Sequence, residues 1–300
     1  MNRVLVVAVA VLTTISTWVT GVAEARLPTV AAAPASEAAV PAAGAAAKPG
    51  YFNFAVIGDF GTGGEEQAAV AQRMCKWRAN HPFDHVFTTG DNIYDKGDRE
   101  RFEGRFWNPY GCLFDAGVRW RAILGNHDII ANGGLDELNE PTFGMKARNF
   151  VVRRNGVRFV MVDSNALRMG WLASHLRSKP ADRWTIVVFH HPVYSPSTAH
   201  GSTPGFRKLL NPLFRRRGVD LVLNGHDHLY SVTKPIKKIR YLVTGGGGRE
   251  LYPCGEAKFS AVCVERNHFV YIHAGRLRLR VRAVPAKGRV FHSFRTQGRA

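Results

Sequence analysis

The chain has 300 residues, of which 45% are hydrophobic and 21% charged. These ordinary globular values exclude a fibrous protein and a chain disordered throughout, and the length suits two average domains or one large α/β domain. Lysine and arginine number 41 against 23 acidic residues, giving a net charge of +18, so we expect a basic surface that attracts anionic substrates or anionic surfaces.

Residues 1–25 predict a secretory signal peptide. A basic start precedes an apolar stretch from Val4 to Val22, and Ala23-Glu24-Ala25 is a small-x-small cleavage site. An uncleaved membrane anchor is the alternative, because the stretch is nearly long enough to span a bilayer. No other stretch is comparably apolar. We therefore expect a secreted or periplasmic chain with no membrane span after cleavage.

Residues 26–50 are mostly alanine and proline and show no helical or strand period. This composition predicts a disordered linker. The folded domain is expected to span 51–300, with its late part, 249–300, mostly β.

The four cysteines are an even number, which suits an oxidising compartment, and they allow three pairings. Cys254 and Cys263 lie close together around a turn, which favours their pairing and leaves Cys75 with Cys112. Free buried thiols are the alternative. None lies in a CxxC motif, so neither a zinc site nor a redox motif is indicated.

From Tyr51 the chain alternates apolar strands with helical segments. Strands are predicted at 52–57, 85–88, 121–124, 185–189, 219–223 and 240–244, and helices at 65–80, 98–107, 170–179 and 206–217. Segments 150–152 and 158–163 predict a hairpin around Asn155-Gly156. The glycine run at 245–248 follows a predicted strand directly. Because glycine has no side chain, this favours a backbone segment that passes close to a functional site. This order predicts an α/β core of mostly buried strands with antiparallel additions late in the chain.

Five predicted strands end in side chains that bind metals. The carboxyl ends of strands in an open α/β sheet face one crevice, so groups far apart in sequence are expected to meet there. Their carboxylate, phenol, amide and imidazole groups are oxygen and nitrogen ligands of first-row metals, and they exceed what one ion needs. The pattern predicts two ions about 3.5–4 Å apart that share a carboxylate. The strand-end residues are Asp59, Asp91 with Tyr94, Asn126 with His127, His190, and His226 with His228.

These motifs resemble those of the calcineurin-like metallophosphoesterases, and within them the purple acid phosphatases, especially the small mammalian-type, tartrate-resistant form. Tyr94 narrows the resemblance, since most other members of the superfamily lack a phenol there. The resemblance covers about 51–248 and implies a four-layer α/β/β/α sandwich of two mixed β-sheets flanked by helices. The matching segments are 58–61, 90–94, 125–128, 187–192 and 225–228.

The resemblance also implies two metal sites bridged by Asp91. The first would hold Fe(III) through Asp59, Tyr94 and His228. The second would hold a divalent ion, Fe(II), Zn or Mn, through Asn126, His190 and His226.

The implied activity is acid phosphatase, with hydrolysis of small phosphate monoesters by a metal-bound hydroxide. His127 and His200 are the candidates for assisting the leaving group, although the segment from His190 to His200 is one residue longer than in the family. Asp128, Asp227 and His191 are expected to support the site without binding metal. A phosphodiesterase or nucleotidase on the same fold is the alternative.

Residues 276–282 alternate arginine with apolar residues, which predicts a strand with one arginine face. A solvated edge strand is favoured. The alternative is that this arginine face contacts a polyanion or an anionic surface. A further alternative for the whole protein is a non-catalytic polyanion-binding protein. No aromatic residues interleave, so no specific nucleic-acid partner is indicated.

Overall fold

The computed structural model describes residues 51–176 and 182–297. The predicted signal peptide and linker lie outside the described residues, as does the end of the predicted helix 170–179. Within the described residues, no helix combines the length and apolar character needed to cross a bilayer.

The described part of the chain contains thirteen β-strands and five α-helices. The strands are β1 (Phe52–Ile57), β2 (His85–Thr88), β3 (Arg119–Arg121), β4 (Phe150–Arg154), β5 (Val157–Met161), β6 (Trp184–Val188), β7 (Leu221–Asn224), β8 (Tyr230–Thr233), β9 (Arg240–Thr244), β10 (Ser260–Val264), β11 (His268–Ala274), β12 (Arg278–Pro285) and β13 (His292–Gln297). The helices are α1 (Glu65–Asn80), α2 (Gly111–Asp115), α3 (Leu135–Asn139), α4 (Met169–His175) and α5 (Pro204–Arg217).

The strands form two mixed sheets. The first has the order β13-β12-β11-β1-β2-β3, and the second the order β10-β8-β9-β7-β6-β5-β4. The strands that precede the metal-binding motifs run parallel within each sheet, β1 with β2 and β6 with β7. The later strands β11, β12 and β13 pair antiparallel, which agrees with the antiparallel additions predicted late in the chain.

Aromatic side chains join the layers. The Phe159 ring of the second sheet lies 3.8 Å from Phe87 and 5.0 Å from Phe54 of the first sheet, measured between ring centres. On the other face of the first sheet, Trp77 of α1 packs against Phe269, with ring centres 6.3 Å apart. Helix α5 packs by Phe214 against Phe189, which follows β6. The predicted four-layer α/β/β/α arrangement is confirmed.

The hairpin between β4 and β5 is also confirmed. The strands pair in register up to Arg154 and Val157, so Asn155 and Gly156 form a two-residue turn. Both turn residues have positive φ, 45° and 78°. This is the turn whose twist matches that of the flanking strands and which favours an Asn-Gly pair.

Two local predictions need correction. The helix predicted at 98–107 is a 3-10 turn at Arg99–Arg101 followed by a π-helical turn at Glu103–Trp107. The strand predicted at 121–124 is paired only at β3, Arg119–Arg121, because the backbone beyond it leaves the ladder and Ala122 donates its N–H to Phe143 instead. Strand β8 was not predicted.

The interpretation of residues 276–282 as an edge strand is wrong. Strand β12 lies between β11 and β13, so β13 is the outer strand of the sheet. The predicted alternation holds from Arg278 onward: Leu279 and Val281 face the core, while Arg278 and Arg280 are exposed on the opposite face. Leu277 precedes the strand and is exposed.

The two disulfides join Cys254 to Cys263 and Cys75 to Cys112. The Cα atoms of each pair lie 6.0 and 6.2 Å apart, within the ordinary range for a disulfide. The favoured pairing is confirmed, and no described cysteine is left as a free thiol.

Candidate metal centre

Three of the predicted ligands lie on strand-end turns of unusual backbone geometry. Asp59, Asp91 and His226 have φ values of 57°, 50° and 71°, in the left-handed region. A residue with a side chain rarely adopts this region, and holding it there costs about 1–3 kcal/mol. Each follows a glycine at the end of β1, β2 or β7. The three turns direct their side chains into one buried space.

Glycines next to the ligands allow the turns to approach closely. A Cβ atom at Gly125 would lie 2.1 Å from Oδ1 of Asp91, and one at Gly225 would lie 2.5 Å from Oδ2 of Asp59. Such distances are too short for any side chain. The position before Asn126 and the position before His226 therefore require glycine for packing alone.

The first group of predicted ligands surrounds the phenol of Tyr94. Its oxygen lies 3.4 Å from Oδ1 of Asp59 and 3.1 Å from Nε2 of His228. Nε2 of His228 in turn lies 3.7 Å from Oδ1 of Asp59. All three side chains are buried, so they form a compact set of oxygen and nitrogen donors.

The second group surrounds the side-chain oxygen of Asn126. Oδ1 of Asn126 lies 2.9 Å from Nε2 of His190 and 3.0 Å from Nδ1 of His226. The two imidazole nitrogens are 3.2 Å apart. This group contains no carboxylate of its own.

The carboxylate of Asp91 lies between the groups. Its Oδ2 is 3.1 Å from the Tyr94 phenol oxygen and 3.5 Å from Nε2 of His190. Ligand atoms of Asp59, Asp91 and His190 all lie within 4.8 Å of one another. The structure thus brings together all seven predicted ligands, in two groups with the Asp91 carboxylate between them.

The histidine hydrogen bonds leave lone pairs aimed at the centre. Nδ1 of His190 lies 2.8 Å from the carbonyl oxygen of Thr89, and Nδ1 of His228 lies 2.8 Å from that of Glu250. A carbonyl only accepts, so each Nδ1 carries the proton and each neutral ring presents an unprotonated Nε2 inward. Burial lowers the pKa of His190 well below its usual value, and that of His228 to about 4, which keeps both rings neutral.

Burial also disfavours the ionised forms of the acidic groups, which a nearby cation would stabilise. Burial, and then the charge of Asp91, raise the pKa of Asp59 well above its usual value. Burial raises the pKa of Asp91 to about 6 and that of the Tyr94 phenol well above 10. Metal cations placed among these groups would offset the repulsion and favour the ionised ligands. The donor set and the inward lone pairs therefore fit a pair of metal ions.

A buried carboxyl pair behind the cluster was not predicted as a unit. The Asp128 carboxylate accepts backbone N–H groups from Asn92 at 2.8 Å and Gly125 at 2.7 Å, so it supports the turns that carry Asp91 and Asn126. Glu137, also buried, hydrogen-bonds to Asp128 and accepts from the Asn92 side chain at 2.7 Å. Burial raises the pKa of Asp128 to about 7 and that of Glu137 well above 4.5. The hydrogen bond between the two carboxyl groups raises the pKa of Glu137 and lowers that of Asp128, which makes Glu137 the donor of the pair.

The two candidate leaving-group histidines lie beside the cluster. His127 donates its backbone N–H to Oδ1 of Asp91 at 2.9 Å, and its Nδ1 lies 2.9 Å from the carbonyl oxygen of Asp95. The exposed ring of His200 lies 4.4 Å from that of His226, between ring centres. Both side chains reach the rim of the site.

The loops around His200 add a residue that sequence reasoning missed. Tyr252 stacks on His228, with ring centres 4.0 Å apart, and its ring lies 5.4 Å from that of His200. Backbone hydrogen bonds from Thr198 to Pro253 and from Gly255 to Pro196 join the two loops. Tyr252 and His200 therefore form an aromatic wall at one side of the cluster.

His191 and Asp227, which were expected to support the site, lie beside the cluster. His191 contacts Ser164, with Nδ1 2.8 Å from Oγ, and its ring lies 4.7 Å from that of His226. The Asp227 carboxylate accepts a hydrogen bond from the backbone N–H of Gly201 at 3.4 Å. Both residues hold the loops around the cluster.

The chain belongs to the calcineurin-like phosphoesterase family, whose sequence profile matches residues 52–230. Its relatives within that family are purple acid phosphatases. It is 29% identical over 237 residues to purple acid phosphatase 17 of Arabidopsis thaliana, covering 67% of this chain and 69% of that protein. It is 26% identical over 198 residues to tartrate-resistant acid phosphatase type 5 of Oryctolagus cuniculus, covering 54% of this chain and 60% of that protein.

Solved structures show the same fold. The purple acid phosphatase PPD1 of yellow lupin aligns with a TM-score of 0.70 at 17% identity, covering 83% of this chain and 54% of that one. GAP50 of Plasmodium, described as the anchor in the inner membrane complex, aligns with a TM-score of 0.74 at 17% identity, covering 84% and 90%. At this identity the likeness concerns the fold alone.

Replacing Gly125 by alanine should displace Asp91 and reduce metal binding. The added Cβ would lie 2.1 Å from Asp91 Oδ1, so the shared carboxylate must move. We expect elemental analysis to give one metal ion or fewer per chain, against about two for the unmodified protein. Gly111→Ala is the matched control, because a Cβ there meets nothing within 4 Å. Equal metal content in the two variants would contradict the packing argument.

The Asp128–Glu137 pair should make the folded state less stable as pH rises. The folded chain retains a proton on Glu137 that the unfolded chain releases near pH 4.5. This contribution is therefore complete below that pH and is lost as pH rises towards the folded pKa, by about 1.4 kcal/mol per unit. Glu137→Gln, which mimics the protonated form, should remove this component from urea unfolding measured between about pH 5 and 8.

The exposed substitution Glu66→Gln serves as the control for losing one acidic group. Wild-type and Glu137→Gln stability curves that run parallel across this pH range would contradict the assignment of the buried proton.

Proposed function

We propose that the chain is an exported acid phosphatase that hydrolyses small phosphate monoesters at a dinuclear metal centre. The observation that carries the proposal is the division of seven donors into two groups that share the Asp91 carboxylate. Membership of the phosphoesterase family and the purple acid phosphatase relatives support the same reaction class.

The two groups differ in charge, which supports different metals. The first contains a carboxylate and a phenol, hard anionic ligands that favour Fe(III). The second contains an amide and two imidazoles, neutral ligands that suit Fe(II), Zn or Mn. When bound, the ions attract the phosphate oxygens, offset their charge and acidify a water molecule.

The proton for the leaving group is assigned to His127, with His200 as the second candidate. Nδ1 of His127 donates to the Asp95 carbonyl, which fixes the ring. In the imidazolium form of this ring, Nε2 would hold the proton that passes to the leaving group. The backbone N–H of the same residue holds Asp91, so the proton donor and the shared carboxylate move together. His200 is exposed and next to Tyr252, where a leaving group would depart.

Export is part of the proposal. The predicted signal peptide, followed by a linker at 26–50 and a catalytic domain at 51–300, would deliver the chain to a secreted or periplasmic location. The two disulfides support an oxidising compartment.

The basic surface contributes general attraction for anionic substrates. The exposed arginines of β12 add positive potential, which speeds the encounter with phosphoesters at low salt. Neither the family match nor the names of the relatives point to a polyanion partner. The arginine face therefore enters the proposal only through its charge.

The purified protein should hydrolyse p-nitrophenyl phosphate faster than bis(p-nitrophenyl) phosphate. Asp91→Asn should reduce both rates to background, because it removes the shared anionic ligand. Asp115→Asn, an exposed carboxylate on α2, is the control and should retain activity. Preferential diester hydrolysis would favour a phosphodiesterase or nucleotidase on this fold, and an active Asp91→Asn variant would overturn the dinuclear proposal.

His127→Gln should slow the hydrolysis of phosphate esters with poor leaving groups most. General acid catalysis contributes about 10²–10⁴-fold, and an alkoxide needs the proton more than a nitrophenolate does. We expect kcat to fall much further for an alkyl phosphate than for p-nitrophenyl phosphate. His200→Gln is the comparison within the site, and His175→Gln, an exposed histidine on α4, the control outside it. Equal losses on both substrates would remove His127 from the proton-transfer role.

Fe(III) bound to Tyr94 should colour the protein. We expect a broad visible absorption band in the purified chain, with about two metal ions per chain. The band should vanish in Tyr94→Phe. A colourless protein that holds two divalent ions would refute the Fe(III) assignment.

A further inference from the structure

The segment that follows β9 lies against the first group of ligands. The backbone N–H of Gly247 donates to the carbonyl oxygen of Gly58 at 3.0 Å, and a Cβ at Gly247 would lie 2.3 Å from that oxygen. The run Gly245–Gly248 therefore passes the strand-end turn of Asp59 at a distance that side chains would prevent. It delivers Arg249 and Glu250 to the metal centre.

These two residues contact every member of the first group. The Arg249 N–H donates to the Asp59 carbonyl oxygen at 3.2 Å, and the Glu250 carbonyl accepts from Nδ1 of His228. The guanidinium carbon of Arg249 lies 4.7 Å from the centre of the Tyr94 ring, a cation–π distance.

Two carboxylates hold the guanidinium in this position. Nη1 of Arg249 lies 3.3 Å from Oδ1 of Asp95, and Nε lies 2.6 Å from Oε2 of Glu250. Asp95 follows Tyr94 directly in the chain, so the residue that anchors the guanidinium moves with the ring beneath it. The Arg249 side chain is only 31% exposed. Its partial burial reduces screening by water and strengthens the electrostatic effect of the guanidinium on the Tyr94 ring.

We propose that Arg249 is a positioning residue for the Tyr94 phenol, which it orients through a cation–π contact and whose electron-rich ring it stabilises. The inference rests on the proposed function in one respect, the binding of Fe(III) by Tyr94. A cation over the ring lowers the energy of the phenolate electrons. The energy of the phenolate-to-iron charge transfer therefore rises, and the absorption band moves to shorter wavelength.

The visible spectrum tests this directly in the full-length, iron-loaded protein. Arg249→Met roughly keeps the length of the side chain and removes its charge, so the band should move to longer wavelength. Arg249→Lys, which keeps the charge, should restore part of the shift. Asp95→Asn, which releases the guanidinium, should shift the band in the same direction by less.

Arg266→Met is the matched control. The guanidinium of Arg266 lies 5.7 Å from the ring centre of Phe291, a similar contact made to a ring outside the metal cluster. Its removal should leave the band unchanged, so a shift specific to Arg249 cannot be an effect of losing any stacked arginine. Iron content is measured in every sample.

Several results would overturn the inference. An unchanged band in Arg249→Met at full iron content would refute it while leaving the proposed function intact. A raised KM with an unchanged band would assign Arg249 to substrate binding instead. A colourless wild type would refute the Fe(III) assignment and the inference together, with phosphatase activity tested separately. If Arg249→Met fails to fold or loses iron, the band positions of Arg249→Lys and Asp95→Asn test the inference instead. An unchanged band in Asp95→Asn at full iron content would then refute it.

Discussion

Two carboxylates and a phenol are buried within a few ångströms of one another, and the architecture around them depends on this concentration of acidic groups. Asp59, Asp91 and Tyr94 have almost no contact with solvent, so water cannot stabilise their charges. The neutral imidazoles next to them direct lone pairs to the same point. Such an arrangement is costly without cations and favourable with them, because bound metals replace both the lost hydration and the missing counter-charge.

The cost of assembling the site is distributed over the surrounding backbone. Left-handed turns at Asp59, Asp91 and His226 aim the donors, and glycines beside them permit approaches that any side chain would block. Behind these turns, Asp128 binds backbone N–H groups from two different loops. The sheets supply a rigid framework, and the turns with unusual backbone geometry position the metal-binding side chains on it.

The two ends of the cluster are supported differently. Around the second group, the aromatic rings of His191 and His200 lie near His226, close to solvent. Around the first group, the glycine run brings Arg249 and Glu250 against all three ligands. The first site is therefore enclosed by a fixed backbone and a positive charge, whereas the second is bordered by side chains that can meet a substrate. This asymmetry agrees with a proposed trivalent ion on one side and an exchangeable divalent ion on the other.

The sequence alone predicted β1, β2 and β7, because a buried apolar strand followed by Gly-Asp or Gly-His is a local pattern. The same holds for the Asn155-Gly156 hairpin, helices α1 and α5, and the short-range disulfide between Cys254 and Cys263. The division of the ligands into two groups followed from resemblance to a family. Physical reasoning alone predicted that the strand ends converge and that their donors suit two metal ions sharing a carboxylate, but not which donors bind which ion.

Tertiary structure decided what local pattern could not. The alternation of residues 276–282 is the same for an edge strand and an interior strand, and only the pairing of β13 made β12 interior. The raised pKa values of Asp128 and Glu137 depend on burial. The place of Arg249 depends on the close passage of residues 245–248 past the end of β1. Each of these contacts joins residues that are distant in sequence or neutral in local propensity, so the folded chain alone brings them together.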